Sequence, residues 1–400
     1  MVKDINPGIT ESSWPDYLTE VDGALYFKAS DETHGSELWK SNGTEAGTVM
    51  VKDIYPGSGT YYANNSSPSY LTEMDDILYF LTKDGTHGRE LWRSNGTEAG
   101  TYMVKDIYAG SEDCDAEYLF AMNGTLYFSA NDGVHGQELW KSNGTQSGTV
   151  MVKDINPGPK DSNPTHLTEY NGKLYFGADN GTDGHELWCS DGTEAGTFMV
   201  KDIYPGSGNS NPLYLTVFNG ILWFNANNGI NGQELWVSDG TEANTVMIKD
   251  IAAGPRYSSP LSFTAANGAL FFTADDGING RELWCVKYAL LGDFEPDGDV
   301  DMDDFSALCE HWLSQKLSAD VVPYGGDGRV NLLDLAHFSK TWEGSPENMS
   351  KLGIYAEQWL QVGTTSAEID PFDIAPIYDG DGIINILDFA VFSNQWLENE

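Results

Sequence analysis

Apolar and polar residues alternate over short runs through the first 287 residues, and the alternation returns as a block. In one block "LYLTVF" precedes Asn219-Gly220, followed by "ILWFNA", "NNGINGQ", "ELWVS", "DGTEANT" and "VMIKDI". Short period-two runs bounded by Gly, Asn and Asp predict strands rather than helices. Asn-Gly or Asp-Gly between two apolar runs predicts a two-residue hairpin. That pair recurs at Asp22-Gly23, Asn123-Gly124, Asn171-Gly172, Asn219-Gly220 and Asn267-Gly268, with Asp75-Asp76 in its place in the second block. The ELW tripeptide begins at Glu37, Glu90, Glu138, Glu186, Glu234 and Glu282, a spacing of 53 and then 48 four times. A period of this length with four strand-like runs per unit predicts a β-propeller blade.

The chain opens on "MVKDI", the wording of a fourth strand, and the last unit stops after "RELWCV", a third strand. If the units form a ring, Met1–Ile5 completes the sheet of residues 258–287. The expectation is thus a six-bladed propeller closed by the N-terminal strand, with no bare edge at the seam. An open β-solenoid is the alternative, and it gives no reason for the offset start. Met1 aligns with Met50, Met103, Met151, Met199 and Met247, so it reads as a repeat residue exposed by truncation of a longer precursor. On that reading a missing signal peptide is weak evidence about location.

"ELWCSDGTEAGT" and "ELWVSDGTEANT" closely resemble the bacterial ELWxxDGT repeat, and the resemblance covers residues 1–287. It implies an extracellular, propeller-like protein and no known reaction.

A catalytic group is needed once, whereas the ELW glutamate and the Lys-Asp-Ile run each occur six times. Both read as structure. The third and fourth strands are neighbours, so a cross-strand Glu–Lys pair is the simplest role. The tryptophans suit the gap between packed blades, and SNGT or SDGT reads as a turn. His34, His87 and His135 fall at one turn position in three units and read as turn residues. The loop between the first two units carries five extra residues, and its Tyr61 and Tyr62 are the best candidates for a ligand-stacking surface.

Charge sharpens the division of the chain. Net charge is −40. Residues 1–288 hold 39 acids and 17 bases, or −22; the remaining 112 hold 22 and 4, or −18. Phosphate-backbone binding needs clustered Lys and Arg, so nucleic acid is excluded as a partner. No apolar run reaches the length of a membrane span. Cys114, Cys189, Cys285 and Cys309 match neither a zinc pattern nor a disulfide framework. No nucleophile elbow, phosphate loop, HExxH or arginine cluster of the sialidase kind appears, while paired carboxylates for glycoside cleavage stay open.

After Tyr288 the period breaks. In "DFEPDGDVDMDDF", Asp293, Glu295, Asp297, Asp299, Asp301 and Asp304 stand at positions 1, 3, 5, 7, 9 and 12 of a loop with Gly298 at position 6. Calcium takes six or more oxygens from such a loop, with a sharp turn at position 6. "FSALCEHWL" then predicts a helix. A second unit offers Asp327, Asn331 and Asp334, and a third offers Asp379, Asp381, Asn385 and Asp388. Asp320 and Asp373 are candidate upstream substitutes for the missing first ligands. The GDG-x-[IV]-N-x-x-D-[FL] wording resembles type I dockerin repeats over roughly residues 292–397. That resemblance implies a cohesin-like or surface scaffold partner and a link to polysaccharide degradation.

The reading is mainly β: a six-bladed propeller over 1–288 and a small helical EF-hand-like, dockerin-like domain over 289–400 that binds Ca2+. The expected function is a secreted or cell-surface binding or adhesion protein, more a binder than an enzyme. A glycoside hydrolase or polysaccharide lyase, and a structural extracellular matrix protein, are the alternatives.

Overall fold

A computed structural model describes residues 1–7, 12–57 and 64–287. Residues 1–263 with 272–284 form one compact unit. Its first sheet holds β1 (Asp16–Val21), β2 (Ala24–Asp31), β3 (Gly35–Ser41) and β4 (Val49–Lys52). The second holds β5 (Ser69–Met74), β6 (Ile77–Thr82), β7 (Glu90–Ser94) and β8 (Tyr102–Lys105). The third holds β9 (Glu117–Met122), β10 (Thr125–Asn131), β11 (Gln137–Ser142) and β12 (Val150–Lys153). The fourth holds β13 (Thr165–Tyr170), β14 (Lys173–Asp179), β15 (His185–Ser190) and β16 (Phe198–Lys201). The fifth holds β17 (Leu213–Phe218), β18 (Ile221–Asn227), β19 (Gln233–Ser238) and β20 (Val246–Lys249). A sixth, three-stranded sheet follows with β21 (Leu261–Ala266), β22 (Ala269–Asp275) and β23 (Arg281–Lys287). The first five sheets are antiparallel meanders in chain order, a propeller-like arrangement. Among the described residues no helix is long and apolar enough to cross a membrane.

The hairpins form where the sequence places them. Asn123 and Gly124 have φ of 50° and 67°, the pair of positive values that this turn requires. Asp75 and Asp76 adopt the same conformation at 54° and 61° without a glycine. The "SNGTQSGT" turn of residues 142–149 is tied by side chains. Asn143 Oδ1 accepts from the amide and hydroxyl of Thr145, whose Oγ1 accepts from the Gly148 amide. Ser142 and Thr149 hydroxyls meet at 2.7 Å.

Successive sheets among the first five pack face to face and share cores pairwise. Leu91, Val104 and Ile107 of the second unit meet Leu126, Phe128 and Trp140 of the third. The tryptophans fill this inter-sheet layer, as expected.

The Glu–Lys pair does not form. Glu138 is fully buried, and its carboxylate accepts from the amides of Ile155 and Asn156 and from the Ser162 hydroxyl. It thereby joins the exit of one sheet to the entry of the next. Lys153 stands opposite Leu139, because a bulge shifts the ladder, and neighbouring strand residues face opposite sides. Its amine reaches forward to the Thr197 carbonyl at 2.6 Å and lies 5.9 Å above the Trp188 ring of the following sheet. Lys52 and Lys105 repeat that reach.

Residues 1–5 carry no strand here, so the expected closing strand of the sixth sheet is not seen. Among the described residues no strand pairs with the outer edge of β23, and Leu283 is 70% exposed, against 0% for the equivalent Leu139. Lys3 nevertheless takes the place of a fourth-strand lysine against the first sheet, 2.8 Å from the Thr48 carbonyl and 5.9 Å above Trp39.

Candidate functional site

The first strands of successive sheets approach one another, β1 beside β5, β5 beside β9, β9 beside β13 and β13 beside β17. Each begins with a register shift against its second strand. The residue at the shift lies in the left-handed region: Tyr17 at 54°, Tyr70 at 53°, Tyr118 at 56°, His166 at 56° and Tyr214 at 58°. Glycine adopts that conformation freely, and a bulky side chain there is strained. The bulge accounts for the backbone but not for aromatic residues in five successive sheets. Strain retained at a repeated position points to function.

The rings form a row. Tyr17 and Tyr70 lie 6.4 Å apart, Tyr118 and His166 6.0 Å, and His166 and Tyr214 6.0 Å. Tyr118 is near enough to Tyr70 to help raise its phenol pKa, an effect led by burial. The collar remains accessible, with Tyr17, Tyr118 and Tyr214 at 39%, 37% and 44% exposure. Threonine hydroxyls brace four members: Thr19, Thr72, Thr168 and Thr216 donate to the carbonyls of Tyr17, Tyr70, His166 and Tyr214. Lys28 lies 4.9 Å from the Tyr17 ring and pairs with Asp16 at 3.3 Å, while Arg89 lies 5.6 Å from the Tyr70 ring. Burial holds His166 below the usual imidazole range, which favours a neutral ring between two phenols.

Other titratable groups among the described residues hold their own sheets and turns. Burial raises Glu37, Glu90, Glu138 and Glu186 from 4.5 to about 7. His34, His87 and His135 bond Asp31, Asp84 and Asp132 within their own turns at 2.8–2.9 Å, and those hydrogen bonds raise their pKa. Among the described residues no cluster of three His, Cys, Asp or Glu is placed to hold a metal. Cys114 and Cys189 are buried and Cys285 is exposed. Tyr61, Tyr62 and every proposed calcium ligand from Asp293 to Asp388 lie outside the described residues.

The collar was missed in the sequence because Tyr in a strand is ordinary. The available signal was the recurring "YLT" at Tyr17, Tyr70 and Tyr214, at the same period as ELW.

No family model matches the chain, and no curated protein does. Solved structures are similar at low identity. A puromycin hydrolase matches at TM-score 0.37 and 11% identity over 70% of this chain and 52% of its own. A prolyl oligopeptidase B from Galerina marginata, bound to a 35mer hydrolysis and macrocyclization substrate, matches at 0.43 and 10% over 69% and 42%. A structure from a study of two prolyl endopeptidases matches at 0.29 and 10% over 68% and 50%. This chain spans about half the length of those it matches. The expectation of a dockerin-anchored adhesion protein, with its polysaccharide and matrix alternatives, is corrected here. No dockerin or ELWxxDGT family model matches the chain.

Proposed function

We propose that the sheet region is a non-catalytic recognition module that holds an extended polypeptide segment along the aromatic collar. The observation that carries this reading is the run of five aromatic residues in left-handed conformation on neighbouring first strands. Their spacing favours a peptide. An extended chain advances about 3.3 Å per residue, so side chains on one face recur at roughly 6.6 Å. The rings recur at 6.0–6.4 Å. Alternate side chains of a bound segment can therefore enter successive gaps between rings, while the phenols offer hydrogen bonds to its backbone.

Fluorescence anisotropy against an array of short unstructured peptides tests this. Some peptides should bind, and Tyr118→Gly should weaken them at least tenfold while the circular dichroism spectrum is kept. Failure of every peptide to bind, or equal binding by the variant, overturns the reading.

Two further proposals concern the ends. We propose that Met1–Ile5 can pair with β23 and close a six-bladed ring, which the placement of Lys3 over Trp39 supports. Removal of residues 1–5 should then lower the melting temperature by several degrees. We also propose Ca2+ as the ion for the loop from Asp293 to Asp304, on its oxygen count and spacing. Calorimetric titration of the whole chain with calcium, with and without Asp297→Ala, tests it.

A further inference from the structure

Most bases of the sheet region are committed to its framework. Lys52, Lys105, Lys153 and Lys201 tie sheet to sheet. Lys40, Arg93 and Lys141 bond the carbonyls of Gly96, Gly144 and Gly192 in the following turns. Lys28 is neutralised by Asp16.

Arg89 departs from this pattern. In a segment with more than twice as many acids as bases, its guanidinium makes, among the described residues, no ion pair and one hydrogen bond, Nη2 to Ser69 Oγ at 2.7 Å. What sets Arg89 apart from Arg93 is that its one acceptor is a side-chain hydroxyl rather than a backbone carbonyl. Its Nε, like that of Arg93, is shielded from water without an acceptor. Such a donor costs stability until something accepts from it.

The repeat shows what this position does elsewhere. Gln137, His185 and Arg281 occupy it in the third, fourth and sixth sheets. They reach the carbonyls of Asp115, Asn163 and Ser259, just before each first strand. His185 also meets the hydroxyl of Thr165, the neighbour of His166, at 3.4 Å, and Gln233 of the fifth sheet bonds Asn225. Arg89 keeps only the hydroxyl contact, to Ser69, the neighbour of Tyr70, and lies 5.6 Å over the Tyr70 ring. In the second sheet a structural donor has become a cation facing the collar.

We propose that Arg89 is a carboxylate subsite at the Tyr17–Tyr70 end of the collar, and that the bound segment is anchored there by one carboxylate. This rests on the collar being a peptide site. A guanidinium with free donors suits a planar carboxylate, and a charge-assisted bond in a partly desolvated place is stronger than a neutral one. The surrounding excess of acids repels polyanions, so the subsite selects a single negative charge rather than an acidic run.

The test uses the full chain and matched peptides: one with a free C-terminus, the same peptide amidated, and the same with its internal Asp or Glu replaced by the amide. Wild type should prefer one carboxylate form about tenfold or more, and the amidated and side-chain arms show which carboxylate is read. Arg89→Gln should remove that preference while keeping the weaker binding of the neutral peptide. Arg89→Lys should keep part of it. Tyr118→Gly should weaken acid and neutral peptides alike. Equal binding of acid and neutral peptides by wild type, or a preference that survives Arg89→Gln, overturns the subsite and leaves the collar standing. Loss of all peptide binding in wild type overturns both.

Discussion

Glu138 and Tyr118 belong to the same sheet, and each has counterparts in neighbouring sheets, yet they answer to different demands. Glu138 is fully buried, and both of its carboxylate oxygens accept from the chain: two amides and a hydroxyl. The glutamate is identical in all six units, as expected of a group that joins one sheet to the next. Tyr118 is 37% exposed and sits in a conformation that strains it. Its counterparts vary: Tyr17, Tyr70, His166, Tyr214 and, in the sixth sheet, Ser262. Invariance marks the seam that holds the repeats together. Variation among strained, accessible aromatics is what the proposed peptide surface requires.

The largest effect is expected at the seam. Glu138→Ala leaves two backbone amides and a hydroxyl buried without an acceptor, at about 1–3 kcal/mol each. Chemical denaturation should show a loss of about 3 kcal/mol or more. A loss below about 1 kcal/mol, the range of an exposed cross-strand pair, would restore the Glu–Lys picture.

A pH scan tests the same seam without mutation. Glu37, Glu90, Glu138 and Glu186 titrate at about 7 in the folded chain, against 4.5 ordinarily, because burial disfavours their charged forms. Between those values the folded chain holds protons that the unfolded chain releases. Stability therefore falls as pH rises from 4.5 through about 7. His34, His87 and His135 act in the same direction, since their raised pKa contributes stability that is lost as pH rises through the folded values. The melting temperature should be higher at pH 5 than at pH 8, and the reverse order would contradict the burial of these carboxyls.

The smallest effect concerns a hairpin that serves neither region. Asp76 holds φ of 61° where five other units have glycine. Asp76→Gly should stabilise by about 0.5–1 kcal/mol in the same denaturation assay and leave peptide binding unchanged. A destabilised variant would mean that the Asp76 side chain supports the turn.

How much of this was legible in the sequence follows from what each feature depends on. The strands, the hairpin at Asn123-Gly124 and the SNGT turn depend on nearest neighbours and could be read directly. The role of Glu138 could not. The bulge beside Leu139 offsets Lys153, and the lysine stem is long enough to cross to Trp188 in the following sheet. Tyr118 was hidden for another reason. Tyrosine is favoured in strands, so nothing in its identity announces a left-handed backbone. Only the bulge, a property of the paired strands, turns it into an outlier. The guanidinium of Arg89 became informative only beside its counterparts Gln137 and His185, which reach the carbonyls of Asp115 and Asn163.

The most direct test of the division between seam and collar is Tyr118→Gly, with unfolding free energy and peptide affinity measured on one preparation. Glycine relieves a left-handed tyrosine, which offsets the contact that the half-exposed ring gives up. The prediction is a stability within about 1 kcal/mol of wild type and an affinity lower by tenfold or more. A variant that loses stability on the scale of Glu138→Ala while binding peptide as wild type does would show that the aromatic row is framework.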